Sequence, residues 1–217
     1  MRKAIPIVLS SAISLYSSGC VSPNFERYRL SQEGIEQKIR ESDFFAVGIE
    51  GLQPFSQDSV HQLMQRLYFE SNRNMAYDAS SGDWSRHMEN IRTADKYAKK
   101  IFLIGYSAGA EEVWHIADRC CSEGIPIEIL FYLDPTHKKS LFSPKRIVPN
   151  NVKKVVVITG EFSGILGGRG LDSRDVQDTR RTEIENHTLA GTGHMRLPRE
   201  QGVYQIIRRK LGGFGRR

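Results

Sequence analysis

Short runs of apolar residues alternate along this chain with longer segments in which apolar residues recur at helical spacing. The runs are rich in β-branched and aromatic residues and lie at 44–47, 101–104, 127–133 and 155–159. Continuous runs of this length are typical of strands that are buried on both faces, as in a parallel sheet. Two weaker runs, at 74–77 and around 184–189, indicate further strands.

The segments between the runs carry the stripe of an amphipathic helix. The stripes are Val60, Leu63, Met64, Leu67 and Tyr68; Trp84, Met88, Ile91, Ala94 and Ala98; Ala110, Val113, Trp114, Ala117 and Cys121; and Val203, Ile206, Ile207 and Leu211. Ser56 or Asp58 is a candidate cap for the first of these helices. The alternation predicts an α/β fold, a single domain with a mainly parallel sheet and helices on both faces.

The strand at 101–104 leads into Gly105-Tyr106-Ser107-Ala108-Gly109, and a helix follows at once. G-x-S-x-G between a strand and a helix is the pattern of a nucleophile elbow, a tight turn that exposes a serine hydroxyl. Gly105 and Gly109 remove Cβ atoms that would collide where the two backbones meet. The helix N-terminus adds a positive dipole at the same point. Ser107 is therefore the candidate nucleophile, and the alternative is an incidental serine in a glycine-bounded turn.

A serine hydroxyl needs a base to remove its proton, so one of the six histidines has to lie close to Ser107. His194 ends a Gly-Thr-Gly-His sequence (191–194) in a flexible loop between the last strand and the last helix. This architecture places its base in such a loop, and His194 is the first candidate. His187, inside the last strand, is the alternative.

Several carboxylates could orient the histidine. Asp134 ends the run 127–133, so it emerges at the carboxyl end of the strand that follows the serine helix. The carboxyl ends of parallel strands form the edge at which sites gather. Glu161 follows the next strand, and Asp172 and Asp175 lie further along a glycine-rich segment. Asp134 is the favoured acid; the others stay open, as does a simple capping role for Asp134.

The order Ser107, Asp134, His194, with G-x-S-x-G between a strand and a helix, resembles the α/β-hydrolase superfamily over roughly residues 43–212. An acid after the strand next to the nucleophile is similar to the thioesterase and lipase branches. The resemblance implies an oxyanion hole formed by the backbone N–H of Ala108 and a second N–H at Ile49. It implies no cofactor. Roughly 20 residues separate the last two strands, which leaves room for a small lid and not for a large cap domain.

The first residues are typical of an export signal. Arg2 and Lys3 precede an apolar stretch at 4–16 that is too short to span a bilayer. Small residues then lead to Cys20, which resembles the acylated cysteine of the bacterial lipoprotein lipobox. Because Val21 rather than aspartate follows, the resemblance implies an outer-membrane lipoprotein whose domain faces the periplasm. Cleavage by the ordinary signal peptidase, giving a soluble exported protein, is the alternative.

These features divide the chain into four parts. They are a signal peptide at 1–19, a lipid-attached tether and lead-in at 20–42 with a short helix over 31–41, a hydrolase domain at 43–212 and a basic tail at 213–217. The length of 217 residues, with 26% charged and 9% aromatic residues, suits one soluble globular domain.

Charge and cysteine content exclude other functions. The net charge of +6 is modest and includes basic residues of the last helix and tail. These residues indicate either a solvated helix face with a frayed end or a weak attraction to anionic lipid. No basic stripe interleaved with aromatic residues is present, which argues against nucleic acid as a partner. A disulfide between the neighbours Cys120 and Cys121 would be strained, so two packed thiols are expected. No spacing of metal ligands stands out, and no metal site is predicted.

The sequence therefore predicts a membrane-tethered serine hydrolase that cleaves a small-molecule or lipid ester or thioester through an acyl-enzyme. Ser107 attacks, His194 acts as base and then acid, and Asp134 orients His194. The alternative is a lipoprotein that keeps the fold for binding and has lost catalysis. The sequence alone does not specify the acyl chain or the leaving group, because pocket walls come from loops.

Overall fold

The computed structural model describes residues 32–51, 59–71, 74–79, 83–135, 147–163 and 170–212. The described residues form five helices and six strands. In chain order these are α1 (Gln32–Glu41), β1 (Phe44–Ile49), α2 (Ser59–Glu70), β2 (Met75–Ala79), α3 (Trp84–Lys96), β3 (Lys100–Tyr106), α4 (Gly109–Ser122), β4 (Ile127–Leu133), β5 (Val152–Gly160), β6 (Glu183–Leu189) and α5 (Gln201–Gly212). Two short 3-10 turns, Ser173–Asp175 and His194–Arg199, precede β6 and α5.

The six strands form one sheet in the order β2-β1-β3-β4-β5-β6, and every pair of neighbours is parallel. One row of paired residues runs from Val47 through Leu103, Leu130 and Val155 to Ile184. The carboxyl ends of β3, β4 and β5 therefore lie side by side at one edge of the sheet. This edge carries Ser107 and Asp134 directly after their strands.

Helices cover both faces of the sheet. Residues of α1, α3 and α4 pack on one face against alternate strand residues such as Phe45, Leu103 and Leu130. Residues of α2 and α5 pack on the other face against the strand residues between them, such as Phe102 and Phe131. Apart from Lys100 and Glu128 near the amino ends of β3 and β4, the residues of β1, β3 and β4 are buried because both faces of these strands meet helices. This burial is why their sequences are nearly continuous apolar runs.

The helix predicted within the lead-in contributes to the core. Ile35 and Ile39 of α1 are buried, and they belong to the same hydrophobic cluster as α3. The compact unit therefore begins at Gln32, and residues 1–31 lie outside the described ranges. Cys20 and the tail at 213–217 also lie outside them.

The start of α2 is held by a residue from another element. The carboxylate of Glu50, directly after β1, accepts hydrogen bonds from the backbone N–H groups of Val60 and His61 and from the hydroxyl of Ser59. Backbone N–H groups in the first turn of a helix have no partner within the helix, and a carboxylate there also interacts favourably with the positive end of the helix dipole. The predicted caps Ser56 and Asp58 lie outside the described residues.

The prediction of an α/β fold with a parallel sheet and helices on both faces is confirmed. The weaker runs are strands, β2 and β6, and each of the four striped segments is a helix. The second helix ends at Lys96, so Ala98 of its predicted stripe lies beyond it, with a φ of +53°. The described residues between β5 and β6 include one 3-10 turn and no cap domain.

Candidate active site

Ser107 lies in a sharp turn between β3 and α4. Its φ of +53° is in the left-handed region, which is uncommon for a residue other than glycine. Its backbone N–H donates to the carbonyl of Leu133 at 2.9 Å, and this bond ties the turn to the end of β4. A Cβ atom at Gly105 would lie 2.5 Å from Cγ2 of Val113, and one at Gly109 would overlap the carbonyl oxygens of Ile49 and Glu50. The close backbone contacts expected of a nucleophile elbow are therefore present.

His194 lies between the serine and a carboxylate. Its Nε2 is 3.0 Å from Oγ of Ser107, and its Nδ1 is 2.9 Å from Oδ2 of Asp134. The base loop, residues 190–194, follows β6 and places the imidazole beside the carboxyl ends of β3 and β4. The imidazole can thus accept a proton from the serine through one nitrogen while the other nitrogen donates to the aspartate.

Asp134 is fully buried. Its backbone N–H donates to the carbonyl of Ile158 at 2.8 Å, and its φ is +46°. A buried carboxylate needs donors around it, because an uncompensated charge in the protein interior is costly. Two groups donate to its Oδ2, the His194 imidazole and the hydroxyl of Ser163.

The other sequence candidates lie elsewhere. Glu161 accepts a hydrogen bond from the N–H of Gly191 at 2.8 Å, so it contacts the base loop and not the imidazole. The side chains of Asp172 and Asp175 cap the 3-10 turn at Ser173–Asp175: the Asp175 carboxylate accepts from the N–H of Asp172, and the Asp172 carboxylate pairs with Arg174. His187 lies on β6 with its Nε2 2.6 Å from Oε1 of Glu185. The structure brings together Ser107, His194 and Asp134.

The predicted oxyanion donors lie in different environments. Within the described ranges the N–H of Ala108, next to Ser107 at the start of α4, has no hydrogen-bond acceptor. Ile49 is the last residue of β1 and pairs with Gly105 within the sheet. Gly51, two residues further on, contacts the nucleophile: a Cβ atom there would lie 2.9 Å from Cβ of Ser107 and 3.4 Å from its Oγ. The contribution of Ile49 stays a prediction, and Gly51 is a position in the described part of this loop that lies against the serine.

Several residues that position the base loop were not anticipated from the sequence. The hydroxyl of Tyr106 donates to the carbonyl oxygen of His194 at 2.8 Å, and its ring lies 5.2 Å from the imidazole. Burial raises the pKa of Tyr106 well above 10, so this hydroxyl keeps its proton. The N–H of Phe162 donates to the carbonyl of Thr192 at 2.9 Å. The segment after β5 and the residue before the nucleophile therefore both hold the loop that carries His194.

Other features of the described residues show no link to this site. Cys120 and Cys121 are free thiols, and burial raises the pKa of Cys120 to about 12, as expected of a packed, unreactive thiol. The described part of the chain contains no cluster of three or more potential metal ligands and no helix long and apolar enough to cross a bilayer. A groove of about 510 Å³ on the outer face of α4, lined by residues such as Trp84 and His115, contains none of the three residues.

Comparison with known proteins supports the fold. No family model matches the sequence, and no curated protein matches it significantly. Among solved structures, RedJ with a PEG molecule bound in its active site superposes with a TM-score of 0.52 at 10% identity, over 81% of this chain and 95% of that one. The chain therefore has the fold of the α/β-hydrolases.

Two further structures are similar. One is the thioesterase domain SrfTE, which cyclises the lipopeptide antibiotic surfactin, with a TM-score of 0.47 at 10% identity over 80% of this chain and 93% of that one. The other is the type II thioesterase BorB from the borrelidin biosynthetic cluster, with a TM-score of 0.42 at 12% identity over 78% and 93% of the two chains.

Proposed function

We propose that this chain is a serine hydrolase that cleaves an ester or thioester through an acyl-enzyme. The observation that carries the proposal is the position of the His194 imidazole, 3.0 Å from the Ser107 hydroxyl and 2.9 Å from the Asp134 carboxylate. The three residues come from loops that follow three different strands, and both contacts are within hydrogen-bond distance. This is the arrangement that nucleophilic catalysis by serine needs.

In the first half of the reaction, Ser107 Oγ attacks the carbonyl carbon of the substrate while His194 Nε2 takes the hydroxyl proton. The tetrahedral intermediate then breaks its bond to the leaving group, which departs with that proton as an alcohol or thiol. In the second half a water molecule gives its proton to His194 and attacks the acyl-enzyme. The acid product leaves, and the proton returns to Ser107.

Asp134 keeps His194 in the reactive tautomer. A carboxylate at Nδ1 requires the proton on that nitrogen, which leaves Nε2 free to accept the serine proton. The same negative charge stabilises the imidazolium that forms in each half-reaction. The buried position of Asp134 strengthens this interaction, because little solvent screens it.

The backbone N–H of Ala108 would stabilise the oxyanion. It lies at the N-terminus of α4 and has no acceptor among the described residues, so it is available to a developing negative charge. The helix dipole acts in the same direction. A second donor would come from the loop after β1, which reaches the serine at Gly51.

The proposal extends to location. The basic start, the apolar stretch and the small residues before Cys20 support an exported lipoprotein that is attached to the outer membrane and faces the periplasm. The substrate would then be an ester or thioester available in that compartment, either a soluble small molecule or a lipid.

The test is hydrolysis of short-chain p-nitrophenyl esters and of acyl thioesters by purified wild-type protein, with rapid mixing to resolve an initial burst. An acyl-enzyme predicts release of the leaving group before steady turnover. Ser107→Ala should abolish both phases. Ser122→Ala, a serine at the exposed end of α4, is the matched control and should leave both phases unchanged. A folded wild type without turnover on either class of substrate would favour the binding-protein alternative.

A further inference from the structure

Ser163 connects the candidate acid to the end of β5. Its hydroxyl donates to Oδ2 of Asp134, and its Oγ accepts a hydrogen bond from the N–H of Gly160 at 3.2 Å. The residue is buried, with 8% of its surface exposed. Because the Gly160 N–H occupies one side of the Ser163 oxygen, the hydroxyl proton is directed towards the aspartate. Ser163 therefore links a backbone group of the sheet to the carboxylate.

The two oxygens of Asp134 have different surroundings. Oδ2 accepts from both Ser163 and His194, whereas Oδ1 is buried and has no hydrogen-bond partner among the described residues. The torsion of a carboxylate group is soft, so its orientation depends on the donors around it. With two donors on one oxygen, the plane of the Asp134 carboxylate is fixed relative to the imidazole.

We propose that Ser163 is a positioning residue that holds the Asp134 carboxylate in the orientation His194 requires. The inference rests on the proposed function, in which Asp134 orients the catalytic base. The hydrogen bonds then form one chain, from the Gly160 N–H through Ser163, Asp134 and His194 to the Ser107 hydroxyl. Ser163 acts through Asp134 and contacts no reacting atom.

Removal of the Ser163 hydroxyl has two consequences for the acid. The buried carboxylate loses a charge-assisted hydrogen bond, and only His194 still fixes its orientation. The carboxylate can then rotate, so that the imidazole is less well held towards Ser107. Loss of one hydrogen bond to a charged group should lower kcat by between about tenfold and a hundredfold. KM should change little, because the buried Ser163 hydroxyl bonds to Asp134 and to the Gly160 N–H.

A purely structural role makes a different prediction. Ser163 also stabilises the turn after β5, where its Oγ accepts from the N–H of Gly160 at 3.2 Å and its own N–H donates to the carbonyl of Gly160 at 3.3 Å. If the hydroxyl served that turn alone, its loss would lower the free energy of unfolding and would affect catalysis equally with or without an acid at 134. The test therefore has to show whether the effect depends on Asp134.

The experiment compares Ser163→Ala and Ser163→Thr in the full-length protein, with Ser42→Ala as a matched control. Ser42 is a buried serine whose hydroxyl donates to the carbonyl of Ile39, away from the site. The alanine variant should lose activity by the stated factor, the threonine variant should recover most of it, and the control should keep it. Ser163→Ala is also made in the Asp134→Ala background, which offers Ser163 no side-chain acceptor at 134, and there it should change the rate by less than threefold. A loss of the same factor in both backgrounds, or no loss in either, would overturn the proposal.

A second measurement does not depend on turnover. The Nδ1 proton of His194 in its hydrogen bond to Asp134 should give a far-downfield proton NMR resonance, and its loss in His194→Ala identifies it. Ser163→Ala should shift or broaden this resonance, and Ser42→Ala should not. An unchanged resonance would contradict the positioning role, and a wild type without the resonance would contradict the network itself. If the wild type hydrolyses nothing but the resonance responds to Ser163→Ala, the proposed function fails while the role of Ser163 stands.

Discussion

The hydroxyl of Tyr106 donates a hydrogen bond to the backbone carbonyl of His194 at 2.8 Å, so the residue before the nucleophile holds the loop that carries the base. The two residues are 88 positions apart in the sequence. This bond fixes the distance between the end of β3 and the base loop, and it places the imidazole beside the serine without contacting its reactive nitrogens.

Tyr106→Phe is expected to lower kcat by about two- to tenfold, because one neutral hydrogen bond is lost and the His194 carbonyl is left without that donor. The ring remains, so its contact with the imidazole and its packing are kept. KM should be unchanged. Tyr97→Phe is the control, since the Tyr97 hydroxyl bonds to Glu36 away from the site. Equal effects of the two variants on kcat would contradict a role for Tyr106 in holding the base.

The two carboxylates that follow β4 and β5 are expected to differ sharply. Asp134→Asn should lower kcat by a factor on the order of 10⁴, because the amide no longer enforces the reactive tautomer or stabilises the imidazolium. Glu161→Gln should cost little, since the amide oxygen can still accept from the Gly191 N–H. The comparison is made by measuring kcat of both variants and of wild type under conditions in which equal fractions of each protein are folded. A greater loss from Glu161→Gln than from Asp134→Asn would move the acid to the end of β5.

Stability should depend on pH through Glu185 on β6. Burial alone raises the pKa of Glu185, but hydrogen bonds from Lys154, Lys210 and His187 outweigh it and lower the pKa from 4.5 to about 2. A carboxyl with a depressed pKa in the folded state stabilises the fold above its unfolded pKa, and the contribution is lost as the pH falls towards the folded value.

Glu185→Gln should therefore reduce the free energy of unfolding at pH 7, and its difference from wild type should shrink as the pH falls from 4.5 to about 2. Urea denaturation of both proteins across this pH range measures the difference in the free energy of unfolding. Glu183→Gln is the control, because Glu183 also contacts Lys154 but is 66% exposed. A difference between Glu185→Gln and wild type that stays constant with pH would contradict the assignment.

Much of the fold could be predicted from the sequence because each central strand is buried on both faces. Runs such as 127–133 admit few other structures, and the glycines around Ser107 mark the turn that follows the third strand. Ser107 was predicted from the G-x-S-x-G motif and His194 from its loop between the last strand and the last helix. Asp134 followed from the rule that the carboxyl ends of parallel strands meet at one edge.

The contacts that refine the site could not be predicted in this way. Glu50 caps a helix that begins nine residues later, and Ser163 donates to an aspartate 29 positions away. Isolated serines and glutamates carry no periodic signal, and their partners are set by tertiary packing. Ile35 and Ile39 had a usable signal, since residues four apart lie on one face of a helix, but two residues alone do not distinguish a core helix from a lead-in.

Membrane attachment is tested by Cys20→Ala. If Cys20 carries the lipid, this variant should move from the membrane fraction to the soluble fraction, while Cys121→Ala, which removes a thiol of the folded domain, should stay with the membrane. Fractionation followed by mass spectrometry of the N-terminal peptide measures both the location and the acyl chains. A wild type that is wholly soluble and carries no acyl chain would contradict the lipoprotein proposal.

The central claim is that Ser107 is an activated nucleophile, and reaction with a fluorophosphonate probe tests it most directly. We expect that the wild type gains one probe adduct, that peptide mapping places the adduct on Ser107, and that His194→Ala slows labelling severely. Ser107→Ala should not be labelled at all. If the folded wild type resists the probe, or if the adduct lies on another residue, Ser107 is not the activated nucleophile.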